Sequence, residues 1–413
     1  MILKAIKKRG KFMPSKKKIV IVAHFCDYIT ENTNNRFNYL SSMLHEKGYE
    51  VELITSSFSH RDKRQRLEVE NSENKYKITL IHEPSYKKNI SLKRLLISHK
   101  ILAKNLKHYL KNNSKPDLIY CAVPSIDVAR VASEYSVNKG VPFFIDVQDL
   151  WPEAFQMAFN IPIISNIIFA PLKKAIDEVY ASADEIIAVS QAYIDRAMSV
   201  NKRGVEGHVV YLGTDLDEFD RYSSQEYVNL PVKRKKWIAY CGTLGKSYDL
   251  ISVIDALSLL KNQAPKLVVM GDGPRKKEFE MYALKKKIDC AFLGKLTYAE
   301  MCSVLKKCDI TVNPIIGKSV ASIINKHADY AASGLPVVNT QNSLEYRKLI
   351  TEYKMGVNCT NGDAHDMAMK IKWILENDDQ SIAMGKNARK CAEEKFNRKY
   401  TYKEILKAID NYL

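Results

Sequence analysis

The 413-residue sequence predicts an α/β chain of two doubly wound domains whose parallel sheets face each other across a cleft. Three observations carry that expectation. Short runs rich in β-branched and aromatic residues alternate with segments of helical periodicity, the pattern of strand, crossover helix and parallel strand. The alternation comes in two series, parted by a polar and charged stretch over residues 216–236. The length leaves room for two to three domains, each able to bury a core without a disulfide or metal.

In chain order, the first series places strands at 18–23, 49–55, 78–82, 118–122, 142–147, 185–189 and 209–212. A helix at 36–47 is closed by Gly48. The second series places strands at 237–240, 266–270, 291–293, 310–312 and 336–339, with helices at 247–261, 275–286, 299–307 and 325–333. In such sheets ligands bind beyond the carboxyl ends of the strands, so two facing domains make a cleft lined by those ends.

Composition excludes several classes. Apolar residues make up 46% and charged residues 27%, which rules out a disordered or disulfide-scaffold chain. No run of about 18 apolar residues is present, and no apolar h-region follows the basic first eighteen residues, so neither a membrane span nor a secretory signal is expected. The eight cysteines form no CxxC pair and no zinc spacing, and read as small buried thiols of a reducing cytoplasm. The net charge of +17 asks for an anionic partner. It is unevenly spread: +15 over residues 1–115, −9 over 116–220 and +11 over the remainder. Residues 84–116 contain no acid, but hold Lys93, Arg94, Lys100 and Lys104 beside leucines 92, 95, 96, 102, 106 and 110 at helical spacing. Two readings stand for this helix: a leucine stripe facing the core under a solvated basic face, or an amphipathic face lying on anionic lipid. No motif of nucleic-acid binding accompanies the charge.

Four segments carry the chemistry. The first runs from Tyr240 through Gly242, Thr243, Gly245, Lys246 and Ser247. Glycines there let backbone approach a ligand, a helix N-terminus offers free amides to an anion, and Lys246 adds a point charge. A plain tight turn is the alternative. The second is a strand entering Gly271, Asp272, Gly273 and Pro274, either a structural turn or a ligand contact. In the third, Asn325 is expected to cap a helix ending at Gly334, with Asp329 one turn in on the same face, where a carboxylate can take both hydroxyls of a ribose. Lys326 in that first turn opposes the helix dipole unless an anion is near. The fourth delivers Asp146, Gln148, Asp149, Trp151 and Glu153 to a strand end, where capping by Asp149 competes with a role in the cleft. His24, at the end of the first strand, stands on the same rim.

Taken in order, these segments, with Ile187–Ser190, Gly213–Asp215, Phe292–Gly294 and the Asn-Lys-x-x-Asp-Tyr-x-Ala-x-Gly-x-Pro-Val helix, resemble the retaining glycosyltransferases of family four, in the branch that builds capsular polysaccharide, exopolysaccharide or O-antigen. The resemblance implies the GT-B fold: a basic extension over 1–16, an acceptor domain over 17–216 completed by a helix at 396–413, and a nucleotide-sugar domain over 217–395. It implies a nucleotide-sugar donor, a UDP-sugar foremost, and a polyprenyl-diphosphate-linked saccharide acceptor at the cytoplasmic face of an anionic membrane. No cofactor or metal is expected. Donor contacts fall on Gly242, Thr243, Gly245, Ser247, Asp272, Gly273, Pro274, Gly294, Lys295, Ser322, Ile323, Ile324, Asn325 and Asp329. Acceptor contacts fall on His24, Arg36, Gln148, Trp151 and Glu153, and Lys93, Arg94, Lys100 and Lys104 form the membrane face. Asp149, Lys246 and Lys326 are the expected catalytic groups, with the leaving diphosphate itself taking the acceptor proton. The family's first motif glutamate is replaced by Ala321, and its first-domain histidine by Gln148. Two other functions remain open for this fold, a nucleotide-sugar 2-epimerase and a non-catalytic partner subunit.

Overall fold

Ile19, Val20, Ile21 and Val22 are all buried, as a strand covered on both faces requires. The computed structural model describes residues 16–28, 31, 34–66, 75–87, 94–154, 162–316 and 323–413. The strands are β1 (Lys18–Val22), β2 (Glu50–Ser56), β3 (Phe58–Ser59), β4 (Arg64–Gln65), β5 (Lys77–Ile81), β6 (Leu118–Val123), β7 (Phe143–Val147), β8 (Glu185–Ala188) and β9 (Gly207–Val209) in the first half. The second half holds β10 (Trp237–Cys241), β11 (Lys266–Met270), β12 (Cys290–Gly294), β13 (Ile310–Asn313), β14 (Val337–Asn339) and β15 (Gly356–Asn358). The first sheet has the order β5-β2-β1-β6-β7-β8-β9 and the second β12-β11-β10-β13-β14-β15. Every pairing in both is parallel, and β3 and β4 form a separate small hairpin.

The helices that matter to the site are α1 (Arg36–Glu46), α2 (His99–Asn112), α3 (Ile126–Lys139), α4 (Pro162–Ser182), α5 (Gln191–Met198), α6 (Leu216–Ser223), α7 (Leu250–Leu259), α8 (Lys276–Lys285), α9 (Tyr298–Lys307), α10 (Asn325–Ala332), α11 (Leu344–Tyr353) and α12 (Lys403–Tyr412). Asn35 caps α1 by accepting from the amides of Phe37 and Asn38. On α2 the stripe Leu102, Leu106 and Leu110 is buried against the first core, while Lys100 and Lys104 are exposed. The leucines are therefore spent on the fold, and only the lysine face remains for an outside partner. Arg94 departs further from the expected membrane face: it is buried among aromatic rings. Lys93 and the extension over residues 1–15 lie outside the described residues.

Chain segments cross twice between the sheets and run side by side. Thr214 and Asn397 form a parallel bridge, with Thr214 N donating to Phe396 O at 2.7 Å and Arg398 N to Thr214 O at 3.1 Å. Gly213 has no room for a side chain, since a Cβ would meet Phe396 O at 2.5 Å. Beyond this crossover Tyr402, Ile405, Leu406 and Ile409 pack into the first domain's core beside Ile19 and Ile21.

Arg36, expected on the acceptor side, is instead a buried strut. Its Nε meets Asp146 Oδ2 at 2.7 Å, and its Nη1 donates to the carbonyls of Val210 and Tyr211 at 3.0 Å and to the Tyr402 hydroxyl at 3.1 Å. The same Asp146 oxygen accepts from Tyr120 at 2.7 Å. Removing one member of such a buried pair strands the other charge. Arg36→Met is expected to lower unfolding stability by about 3–5 kcal/mol in a urea titration, with part of the loss recovered in Arg36→Met/Asp146→Leu.

Candidate functional site

The wall on the second sheet is made by two loops that interlock at the carboxyl ends of β10 and β11. Gly242 N donates to Met270 O and Leu244 N to Asp272 O, both at 2.9 Å. A Cβ on Gly271 would lie 1.8 Å from Gly242 O, and one on Gly273 would lie 2.5 Å from Leu244 O. The Gly-Asp-Gly-Pro turn is thus required by the approach of two backbones. Asp272 is exposed, its carboxylate accepting from Gly273 N at 2.7 Å, and Pro274 follows it on the surface. Gly294 closes β12 and its carbonyl accepts from Gly271 N at 2.7 Å.

The helix after the first loop begins at Leu250, three residues later than expected. Asp249 caps it, accepting from Ser252 N at 3.1 Å, and so fills the N-terminus that was assigned to an anion. Lys246 and Ser247 stand in the turn ahead of it, both exposed; Thr243 is exposed and Gly245 half-buried. Thr243 O accepts from Tyr240 at 2.8 Å, and Ser247 O from Ile316 N at 3.0 Å.

Beneath this loop lies Lys326. Its Nζ is 4.4 Å from the Tyr240 ring centroid and 4.1 Å from that of Tyr248, and only 2.9 Å from where a Gly242 Cβ would be. The amine is buried with no hydrogen-bond partner among the described residues. Burial brings its pKa down from 10.5 to about 7. Asn325, expected to cap α10, is its first residue and is exposed; the turn is closed instead by the His327 imidazole, whose Nδ1 accepts from Ile324 N at 3.2 Å. His327 is stacked on Tyr346 at 3.5 Å. Ile323 is buried, and Ser322 and Ala321 lie outside the described residues.

Asp329 is largely buried. Its Oδ1 accepts from the Tyr298 hydroxyl at 3.0 Å, which also pairs with Thr214 at 2.7 Å and accepts from Asn34 of the first domain at 2.9 Å. Burial holds the Asp329 carboxyl up at about 6. Lys295 reaches across the cleft to Asp62 of the β3–β4 hairpin.

The facing rim is less open than its sequence suggests. Asp149 accepts from Leu150 N at 2.9 Å and from Trp151 Nε1 at 3.0 Å, and burial raises its pKa. Gln148 is tethered to Asp146. Glu153 pairs with Arg196 at 2.6 Å, which also binds Asp177 at 2.6 Å, tying α4 to α5. Trp151 is buried and stacked on His99. His24 is buried with its Nε2 on Glu83 at 2.8 Å. Tyr248, Tyr298 and Glu83 are the site residues that sequence reasoning missed; each acts through a partner distant in the chain, and no local spacing announces them.

Two family models match the chain. "Glycosyltransferase Family 4" covers residues 33–218 and "Glycosyl transferases group 1" covers 224–391. Each half of the chain thus matches a glycosyltransferase domain model. A "Probable glycosyltransferase WbjE" of Pseudomonas aeruginosa is 22% identical over 253 residues, which span 59% of this chain and 62% of that relative's length. Two solved structures share the GT-B fold over nearly the whole chain. Sucrose-phosphate synthase from Thermosynechococcus elongatus has a TM-score of 0.75 at 15% identity, covering 96% of this chain and 99% of the other. Anabaena HepE in complex with UDP has a TM-score of 0.69 at 16% identity, covering 96% and 100%. Among the described residues no helix is long and apolar enough to cross a membrane.

The buried amine gives a prediction that separates function from stability. Lys326→Met relieves an unsatisfied buried polar group, a gain of about 1–3 kcal/mol. The unfolded chain keeps this amine protonated up to about pH 10.5 and the folded chain only up to about 7, so wild-type stability rises with pH across that window. The melting temperature of Lys326→Met is therefore expected to exceed wild type most at pH 7 and below, and the gap to close toward pH 10. Sugar-nucleotide affinity in the same variant is expected to fall about tenfold, as loss of one charge-assisted contact to phosphate.

Proposed function

We propose that the chain is a retaining glycosyltransferase that moves a sugar from a UDP-sugar to a polyprenyl-diphosphate-linked saccharide in the synthesis of a bacterial surface polysaccharide. The observation that carries this is the buried Lys326 amine, held without a partner among the described residues directly beneath the interlocked Gly242 and Gly271 loops. An unneutralised cation under glycine backbone at the carboxyl ends of β10 and β11 suits a diphosphate. HepE, of the same fold, has been solved with UDP and with UDP-glucose.

In this reading the exposed Lys246 and the amides of 242–247 meet the diphosphate from outside and Lys326 from below. Both cations stabilise charge that develops on the leaving phosphate. Asp329 and Tyr298 offer the ribose a carboxylate and a phenol. Asp149, oriented by Trp151 and Leu150 N, accepts from a neighbouring hydroxyl of the acceptor and so aligns the reacting hydroxyl with the sugar carbon. The hydroxyl proton passes to the leaving phosphate oxygen on the same face, so configuration is retained. The lysine face of α2 holds the chain to anionic lipid at the inner side of the cell membrane.

A thermal-shift panel of sugar nucleotides tests the donor, since a bound ligand stabilises by mass action. A UDP-sugar should raise the melting temperature, and no shift with any sugar nucleotide would sink the reading. Lys246→Ala is expected to weaken that donor about tenfold without altering the melting temperature of the free protein, because the side chain is exposed. NMR of the product should show the donor's anomeric configuration. For the membrane face, Lys100→Gln/Lys104→Gln is expected to weaken binding to vesicles containing anionic lipid about tenfold. Unchanged vesicle binding would remove α2 from the reading.

A further inference from the structure

A second group of cations lies on the first domain, away from Lys246 and Lys326. His24 follows β1, Ser56 ends β2, Glu83 follows β5, Arg94 and His99 lead into α2, and Trp151 follows β7. Glu83 is fully buried and accepts from His24 Nε2 at 2.8 Å, Ser56 Oγ at 2.6 Å and Ser98 Oγ at 2.7 Å. In front of it the Arg94 guanidinium sits 5.1 Å from the Phe25 ring, 5.5 Å from Tyr86 and 4.9 Å from Trp151. Lys63 lies 4.9 Å from that same Tyr86 ring and 3.4 Å from His60 Nδ1. Two cations thus lie against one aromatic ring, with an imidazole beside them. Burial and the Arg94 charge together lower Lys63 to about 8 and His60 to about 3. His24 Nδ1 is buried without a partner among the described residues.

The group has the residue types of a metal site, for ligand atoms of His24, Glu83 and His99 lie within 4.8 Å of one another. It is not arranged as one. His99 Nε2 receives a hydrogen bond from Arg94 Nε at 3.1 Å, both Glu83 oxygens hold hydroxyls, and a guanidinium beside the ligands repels a cation. Crowded positive charge held on rings suits an anion. The crowd opens outward, since Phe25, His60 and Lys63 are only partly buried. It also borders the cleft, for Asp62, next to Lys63, pairs with Lys295 of the second domain.

The geometry points to a phosphate subsite formed by Arg94, Lys63, His60 and His24, which on the reading of the preceding subsection receives the diphosphate of the lipid-linked acceptor. Arg94 and Lys63 bring two positive charges to the phosphate oxygens. His24, whose Nε2 is held by Glu83, contributes Nδ1, which has no partner among the described residues.

Calorimetric titration of the full chain with inorganic pyrophosphate, in buffer saturated with UDP, tests the subsite; a parallel UDP titration reads the donor site alone. Lys63→Gln, at a half-exposed position, and Arg94→Met, which keeps contact with the rings, are each expected to cut pyrophosphate affinity at least about fivefold and leave UDP affinity unchanged. In transfer assays the KM for a prenyl-diphosphate-linked saccharide should rise while that for the donor stays fixed. Pyrophosphate competing with that acceptor assigns the site to the lipid headgroup; phosphate binding without competition assigns it to a free anion and overturns the acceptor role. Pyrophosphate affinity untouched in both variants overturns the subsite itself. Loss of UDP binding in wild type with the pyrophosphate site intact would instead count against the donor reading alone.

Discussion

Two segments of chain cross side by side between the domains, and everything in the cleft takes its position from how they are pinned. Arg36 and Arg398, both buried, do the pinning. Arg36 grips the outgoing segment at the carbonyls of Val210 and Tyr211 and the returning one at the Tyr402 hydroxyl. Arg398 donates from Nε to Leu212 O at 2.9 Å and from its other nitrogens to Asn34. A guanidinium suits this place because its five donors in a fixed plane can serve several carbonyls at once, which a lysine cannot. Asp146 supplies the charge that makes burial of Arg36 tolerable, and Asp146 lies on β7, the strand that leads into Gln148 and Asp149. The strut of the fold and the rim of the cleft are therefore one continuous set of bonds.

The same crossover links the donor wall to the first domain. Asn34 binds Tyr298, Tyr298 binds Asp329, and Asp329 stands on the helix that also carries Lys326. On the far side Glu345 of α11 accepts from Tyr211 at 2.9 Å, and Lys295 reaches Asp62. Few side chains bridge the cleft directly. A ligand that engages Asp329 or Tyr298 acts on a residue already bonded to the opposite domain, so domain orientation and occupancy of the donor wall share a hydrogen-bond network.

The sequence was most legible where structure is local. The strand cores, the alternation and the break between two sheets all follow from side-chain patterning within a few residues. Positions set by contacts across the chain were not legible. Asp249 displaces the start of α7 because it, and not Ser247, finds an amide to cap. His327 closes α10 in place of Asn325 because Tyr346, on another helix, holds its ring. The leucine spacing in α2 marks an apolar face, but spacing does not say whether core or lipid covers it. Arg36, Glu153 and Arg94 looked like cleft or surface groups because charged residues usually stay in water. Each is instead held by a partner far along the chain, whether carboxylate, guanidinium or ring. Gly271 and Gly273 were flagged as turn residues, and the reason they must be glycine, the carbonyls of Gly242 and Leu244, belongs to a different βα unit.

The excess of positive charge divides along the same line between local and distant. On α2 it is a solvated row, Lys100 and Lys104 facing out above leucines that face in. Such charges cost little to keep and attract at the range of a Debye length, which suits a diffuse anionic surface. Lys326 and Arg94 are the opposite case. Each is buried on aromatic rings, and burial pulls the pKa of each down. A fold that needed only stability would place an apolar residue there. Keeping a cation at each of two strand-end sites, one in each domain, is the arrangement expected where phosphate must be gripped on both sides of a sugar being moved.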